Sequence, residues 1–283
     1  MVAEGRTSGF TLVETLIALV LSSFVIVLAS HAFLVQNRFY STQTLRTSAQ
    51  DNVRAATELM AREIRTAMEG GIVVAGPRTL TVRSPMAVTV VCGRSAGGDR
   101  AIFGEGGVSG LDTDEVAGAA RWDPGTQSWD AANVTWSGIA ASGSDAPNEC
   151  FGNGADTVGV RDSFYWVNVD PAGFGRPSEG EQVLFFRETT FKIQPSVLDP
   201  GTLGIFRAAY GDSLVEFATG VDTTAAFQYR TVGGSYVDTV AAASLPSVDA
   251  VRLVADARKR APTGGVDDIT FGWSVNVPLR TVR

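Results

Sequence analysis

From Phe10 to Val35 the chain is an almost unbroken apolar run. Glu14 is its only fixed charge, and His31 stands near the far end. About 20 apolar residues span the hydrocarbon core of a bilayer as a helix, and a helix satisfies its own backbone without water. The pattern therefore predicts a transmembrane helix over 10–35. From Gln36 the chain turns polar but keeps helical spacing. Leu45, Ala49, Val53, Ala56, Met60, Ile64 and Ala67 recur at steps of three or four. Arg54–Glu58 and Glu58–Arg62 are opposite charges one turn apart. Residues 36–70 thus read as an amphipathic stalk, helical to Met68 and stopped by Gly70-Gly71. Its stripe runs nearer a 3.6-residue than a 3.5-residue repeat, which favours packing on the protein's own sheet over a coiled coil.

After Gly71 the period changes. Short runs rich in Val, Thr and aromatics alternate with Gly and Pro. Expected strands are Thr79–Arg83, Ala87–Val91, Phe164–Val169, Gln182–Thr189, Leu214–Ala218, Ala226–Arg230, Val248–Ala255 and Ile269–Pro278. Residues 93–153 are rich in Gly, Ser and Asp and read as a loop insertion carrying a short hairpin. The expected fold is α+β: a long N-terminal helix packed on a C-terminal antiparallel β-sheet domain over 71–283.

Composition agrees with a β-rich domain on an anchor. Hydrophobic residues make up 45 % and charged residues only 19 %, with 31 glycines. The net charge of −7 gains nothing from counterion release on a nucleic-acid backbone. The basic triplet Arg258-Lys259-Arg260, read as a loop before Pro262, is the place where DNA or an anionic lipid would be touched; a solvated turn is the plainer reading. Cys92 and Cys150 are the two cysteines. Outside the cytosol they would form one disulfide, closing a loop of roughly 60 residues worth about 4 kcal/mol on the chain-entropy model. Two unpaired thiols are the alternative.

An ordinary secretory signal also begins with an apolar run. This one is longer, is followed by Gln36-Asn37-Arg38-Phe39 instead of a small-residue cleavage site, and carries a carboxylate in its first turns. A charge at the centre of a membrane helix costs about 2.5–3.5 kcal/mol on insertion scales, so Glu14 is expected to serve a purpose.

Gly9-Phe10-Thr11-Leu12-Val13-Glu14 followed by an apolar helix resembles the precursor signature of type IV pilins and of the pseudopilins of type II secretion. The resemblance implies that residues 1–9 are a leader. A prepilin peptidase would cut between Gly9 and Phe10, Phe10 would be N-methylated, and the helix would stay in the mature protein. Glu14 would then neutralise the Phe10 amine of a neighbouring subunit, since neither charge tolerates burial alone. Major pilins usually carry a Pro about two-thirds along the apolar segment. This chain has Ser22-Ser23 and no Pro between residues 10 and 76, as minor pilins and pseudopilins do. In the C-terminal third, Thr219-Gly220-Val221-Asp222, Phe227-Gln228-Tyr229-Arg230, Asp249-Ala250-Val251-Arg252-Leu253 and a final Val277-Pro278-Leu279-Arg280 resemble PilW-like minor pilins and J-type pseudopilins. Thr281 stands where that pattern usually continues with Asn.

Catalytic chemistry is not expected. His31, the only histidine, lies in the apolar run, so no Ser-His-Asp or Cys-His arrangement is available to the sheet domain. Zinc ligands and a phosphate-binding loop are missing, and no cofactor is expected. Asp112-Thr113-Asp114-Glu115 offers oxygen ligands to calcium but lacks the EF-hand spacing; a solvated acidic turn is expected. Trp122, Trp129 and Trp136 would make an adhesive surface if exposed, or pack within a hairpin around Pro124-Gly125. The reading is a structural subunit of a type IV pilus, a minor pilin priming or capping the filament. Its expected partners are other pilins, the prepilin peptidase and an inner-membrane assembly platform, with the β domain outside the cytoplasm. The alternatives are a J-type pseudopilin of type II secretion and a membrane-anchored module that binds DNA or a glycan.

Overall fold

A computed structural model of the chain describes residues 11–94, 100–103, 115–132, 165–168, 178, 180–259 and 269–279. The chain divides into two compact units, residues 1–49 with 259–269 and residues 50–258 with 270–283. Helix α1, Leu12–Arg65, supplies residues to both.

In the first unit, every side chain from Thr11 to Ser41 is exposed. Leu12 (80 %), Leu28 (70 %) and Phe33 (73 %) show how complete this is. Residues Leu12–Thr44 are long and apolar enough to cross a membrane, and none of that span is buried within the chain. The hydroxyls along it bond back to the helix itself. Ser22 donates to the Ala18 carbonyl at 2.5 Å, Ser23 to Val20 at 2.7 Å and Thr15 to Leu12 at 2.9 Å. Such back-bonding leaves these groups no unmet donor to present to lipid.

In the second unit the same helix is striped. Val53, Ala56, Met60, Ile64 and Ala67 are buried on the expected positions, and Thr57 and Ala61 widen the stripe. Burial at i, i+3, i+4 and i+7 is the signature of a helix laid on a core. Arg54 and Glu58 close at 2.8 Å; that is the first of the two expected pairs, and the Glu58 carboxylate goes to it and not to Arg62. The helix stops at Arg65, three residues before the expected end. Thr66 and Ala67 turn back by short-range bonds to Glu63 and Ile64, and the Met68 N–H leaves the helix for the Arg83 carbonyl at 2.9 Å. Gly70 then takes φ +65°, and a Cβ on Gly71 would lie 2.7 Å from Met68 O and 2.8 Å from Arg83 O. Only glycine fits that approach.

Among the described residues thirteen strands follow: β1 Ile72–Gly76, β2 Thr79–Arg94, β3 Arg100–Phe103, β4 Gly118–Asp123, β5 Ser128–Ala132, β6 Tyr165–Asn168, β7 Gln182–Pro195, β8 Leu203–Ala209, β9 Val215–Val221, β10 Ala226–Thr231, β11 Tyr236–Val237, β12 Val248–Lys259 and β13 Ile269–Pro278. They join in one sheet, ordered β11-β10-β12-β9-β8-β7-β2-β3-β6, with β1 beside β2, β13 beside β12, and β4–β5 beside β7. The α+β architecture is the expected one, an N-terminal helix followed by an antiparallel sheet.

Strand β7 is the spine of the domain. It pairs with β2 along one side; on the other its first half takes β4 and its second half β8. Val183, Leu184, Phe185 and Phe186 are all buried in succession, as in a strand covered on both faces. Beyond them Thr189, Phe191 and Ile193 alternate with half-buried neighbours. The Glu63–Arg207 ion pair at 2.9 Å ties α1 to β8, and the buried Tyr229 hydroxyl donates to Gly76 O at 2.8 Å, anchoring β10 to the β1–β2 turn.

Three features differ from the sequence reading. The expected strands Thr79–Arg83 and Ala87–Val91 are one strand, β2, whose register with β7 slips between Pro85 and Ala87; a bulge absorbs the proline instead of a break. Strands β1, β3, β8 and β11 were not expected. In β8, Leu203–Phe206 are buried consecutively, so no alternation marks the strand. Arg258 and Lys259 end strand β12 instead of lying in a loop, and Arg260 is outside the described residues.

Candidate functional site

The N-terminal turn of α1 holds the charged residue that the sequence singles out. Thr11 is the residue before the helix, and Glu14 lies in the first turn. The Glu14 N–H donates to Thr11 Oγ1 at 3.3 Å, while Glu14 Oε2 accepts from the Thr11 N–H at 3.4 Å and from the Thr11 hydroxyl at 3.5 Å. This is a capping box, in which Thr and Glu three residues apart satisfy each other's orphan amides. The carboxylate also sits at the positive end of the helix dipole, where it stabilises the helix. Glu14 therefore has local work in addition to the intersubunit pairing assigned to it from sequence. The Thr-x-x-Glu spacing was legible in the chain and was not used. Among the described residues both local bonds fall on Oε2, and a carboxylate keeps further acceptor capacity on its second oxygen.

The surroundings of this turn are apolar and uncovered. Leu12, Val13, Leu16 and Ile17 are 80 %, 65 %, 57 % and 54 % exposed. Monomeric soluble proteins rarely leave a contiguous apolar surface of this extent open; lipid or other helices must cover it. The site is thus a carboxylate, pinned at a helix N-terminus, on a surface that buries itself only in another medium or another molecule.

Gly9 and Phe10 lie outside the described residues. So does Cys150, together with the side chain of Cys92 in β2, so the expected disulfide falls there too. Asp112–Asp114 are also outside; Glu115 is described, and its carboxylate approaches Arg187 at 3.6 Å. Among the described residues, no group of three or more His, Cys, Asp or Glu is placed to hold a metal ion.

The expected hairpin around Pro124-Gly125 is β4–β5. Trp122 and Trp129 stand opposite each other, with ring centroids 5.2 Å apart and planes at 64°, an edge-to-face arrangement. Asp123 closes the turn, accepting from the Gly125 N–H at 2.8 Å and the Thr126 hydroxyl at 2.9 Å. These bonds, the Gly125 N–H first, hold its carboxyl below the ordinary range. The groove beside the hairpin is lined by Arg121, Trp122, Asp123, Asp130, Ser178 and Glu181. Within it Arg121 pairs with Glu181, and the Ser178 N–H donates to the same carboxylate at 2.6 Å. Trp136 is outside the described residues.

The family model of the prokaryotic N-terminal methylation motif matches residues 5–30. That segment contains Thr11, Glu14 and most of the uncovered apolar run. No curated protein and no solved structure matches the chain.

Proposed function

We propose that this chain, whose residues 5–30 carry the prokaryotic N-terminal methylation motif, is a prepilin-type protein of the type IV pilin and pseudopilin family and works as a minor pilin of a type IV pilus. The motif brings with it a membrane anchor, processing by a prepilin peptidase and assembly with other pilin subunits. The finer reading is that the subunit primes or caps the filament through an inner-membrane assembly platform, with its β domain outside the cytoplasm and no catalytic role.

One observation carries this reading: the apolar half of α1 ends in a capped carboxylate and has no side chain buried within its own chain. A helix that exists only to anchor has no reason to keep a charge in its first turn. In a bundle of subunits, the second Glu14 oxygen meets the Phe10 ammonium of a neighbour and fixes the axial register. Leucine-rich surfaces on adjacent helices then take the place of lipid. In the Trp-bearing groove of the sheet domain, Arg121 and the Ser178 N–H are both held by the Glu181 carboxylate. Deleting the gene tests the reading: surface filaments are expected to be lost, with protein secretion through the outer membrane unchanged. Intact filaments with lost secretion would assign the chain to the J-type pseudopilins instead.

A further inference from the structure

Two kinds of residue mark the depth at which a membrane helix rides. Fixed charges stay out of the hydrocarbon core. Tyr and Trp, with an apolar body and a polar tip, collect at headgroup level. In α1 these markers fall at two places. Between Glu14 and Arg38 the chain has no fixed charge, and Tyr40 is the only Tyr or Trp in the helix. Arg38, Phe39 and Tyr40 stand together where the apolar run gives way to Ser41-Thr42-Gln43-Thr44.

The geometry of this trio suits a lipid boundary. The Phe39 and Tyr40 rings meet edge to face, with centroids 6.1 Å apart and planes at 72°. They stay 60 % and 68 % exposed, and Arg38 is exposed beside them. The Ser41 and Thr42 hydroxyls both donate to the Arg38 carbonyl at 2.9 Å, so the first polar side chains past the rings are satisfied on the helix itself.

Length selects the occupant. The helix is unbroken from Leu12 to Arg65. At 1.5 Å per residue, Glu14 and Arg38 lie about 36 Å apart along its axis. The hydrocarbon core of a bilayer is about 30 Å thick, and the bilayer with its headgroups about 40–45 Å. Both charges therefore reach a headgroup layer at once, while residues 16–35 fill the core between them. A bundle of protein helices sets no such fixed distance between two polar layers; a bilayer does.

We propose that Arg38, Phe39 and Tyr40 form a lipid-headgroup anchor that sets the depth of α1 and holds Glu14 in the opposite headgroup layer. The guanidinium meets lipid phosphate, and the two rings lie among the headgroups. The Glu14 carboxylate is then solvated in the membrane, and it needs an ammonium partner only after other helices replace the lipid. The anchor rests on the membrane part of the reading above, and this consequence on its filament part.

The test uses the full-length, isotope-labelled chain in phosphatidylcholine nanodiscs. A nitroxide is placed on the lipid either at headgroup level or at the acyl-chain ends. The amide NMR signals of Glu14, Phe39 and Tyr40 are expected to broaden at least threefold more with the headgroup label. That of Val25, midway between the layers, is expected to broaden at least threefold more with the chain-end label. Phe39→Ala combined with Tyr40→Ala is expected to move the chain-end maximum at least three residues from Val25, with the sheet-domain signals unchanged. Phe39 and Tyr40 signals that neither label broadens would overturn the proposal. So would a Glu14 signal broadened most from the chain ends, or a double variant that keeps its maximum at Val25. A chain that does not enter the nanodisc would instead sink the membrane reading on which the proposal stands.

Discussion

The two halves of α1 share one backbone geometry and differ in everything that stabilises it. From Thr11 to Ser41 no side chain is buried, although Leu, Val, Ile and Phe dominate. From Val53 to Ala67 the apolar residues are fewer, yet those on one stripe are sealed to within a few per cent. Hydrophobic content alone therefore does not locate the core. What matters is whether apolar residues are segregated to one stripe, which a sheet can cover, or spread around the helix, which only lipid or other helices can cover. The difference also separates two kinds of dependence. The second half depends on this chain's own sheet domain, to which the Glu63–Arg207 ion pair ties it, and the first half on its surroundings.

Substitutions sharpen this contrast. The largest expected effect is on assembly: Glu14→Ala should leave membrane insertion intact and abolish recovery in filaments. Glu14→Gln separates the two roles of that side chain, because Gln retains the capping bond but cannot meet an ammonium with a charge. If pairing governs assembly, Glu14→Gln fails as Glu14→Ala does; wild-type assembly of Glu14→Gln would leave capping as the sole role. Next in size, Met60→Ala should destabilise the sheet domain by about 2–5 kcal/mol, the range for emptying a buried site, as read by chemical denaturation. Leu21→Ala, on the uncovered half, should shift the same transition by no more than about 0.5 kcal/mol. Equal effects at both positions would erase the contrast between the halves.

The smallest effect lies in the β4–β5 turn. Asp123 is held below its ordinary range by Gly125 and Thr126. A depressed carboxyl stabilises the fold above its unfolded value, and that contribution disappears as pH falls through the lowered folded value. The near-ultraviolet circular-dichroism band of the Trp122–Trp129 pair should therefore weaken in that acidic window. In Asp123→Ala the step should be absent.

Much of this was legible in the chain because one periodicity ruled each segment. The apolar run and the stripe of Val53, Ala56, Met60 and Ile64 are set by helical spacing and survive in the structure. Strand β13 coincides with the expected Ile269–Pro278. The failures fall where tertiary context decides. Pro85 reads as a strand break, but β7 holds both sides of it in one ladder. β8 is buried in succession, so its pattern carries no strand period. The helix ends at Arg65 because the Met68 N–H finds the Arg83 carbonyl, a contact distant in sequence. At the candidate site the charge was legible and its cap was overlooked, although Thr11 and Glu14 stand at capping-box spacing.

The central claim is that the uncovered helix belongs to a processed subunit with a free ammonium next to Thr11. Mass spectrometry of the N-terminus, on chain produced together with a prepilin peptidase, tests it most directly. The account predicts a polypeptide that starts at Phe10 and carries one N-methyl group. A polypeptide that keeps Met1, or one cut after Ser30 so that the helix is lost, would contradict it.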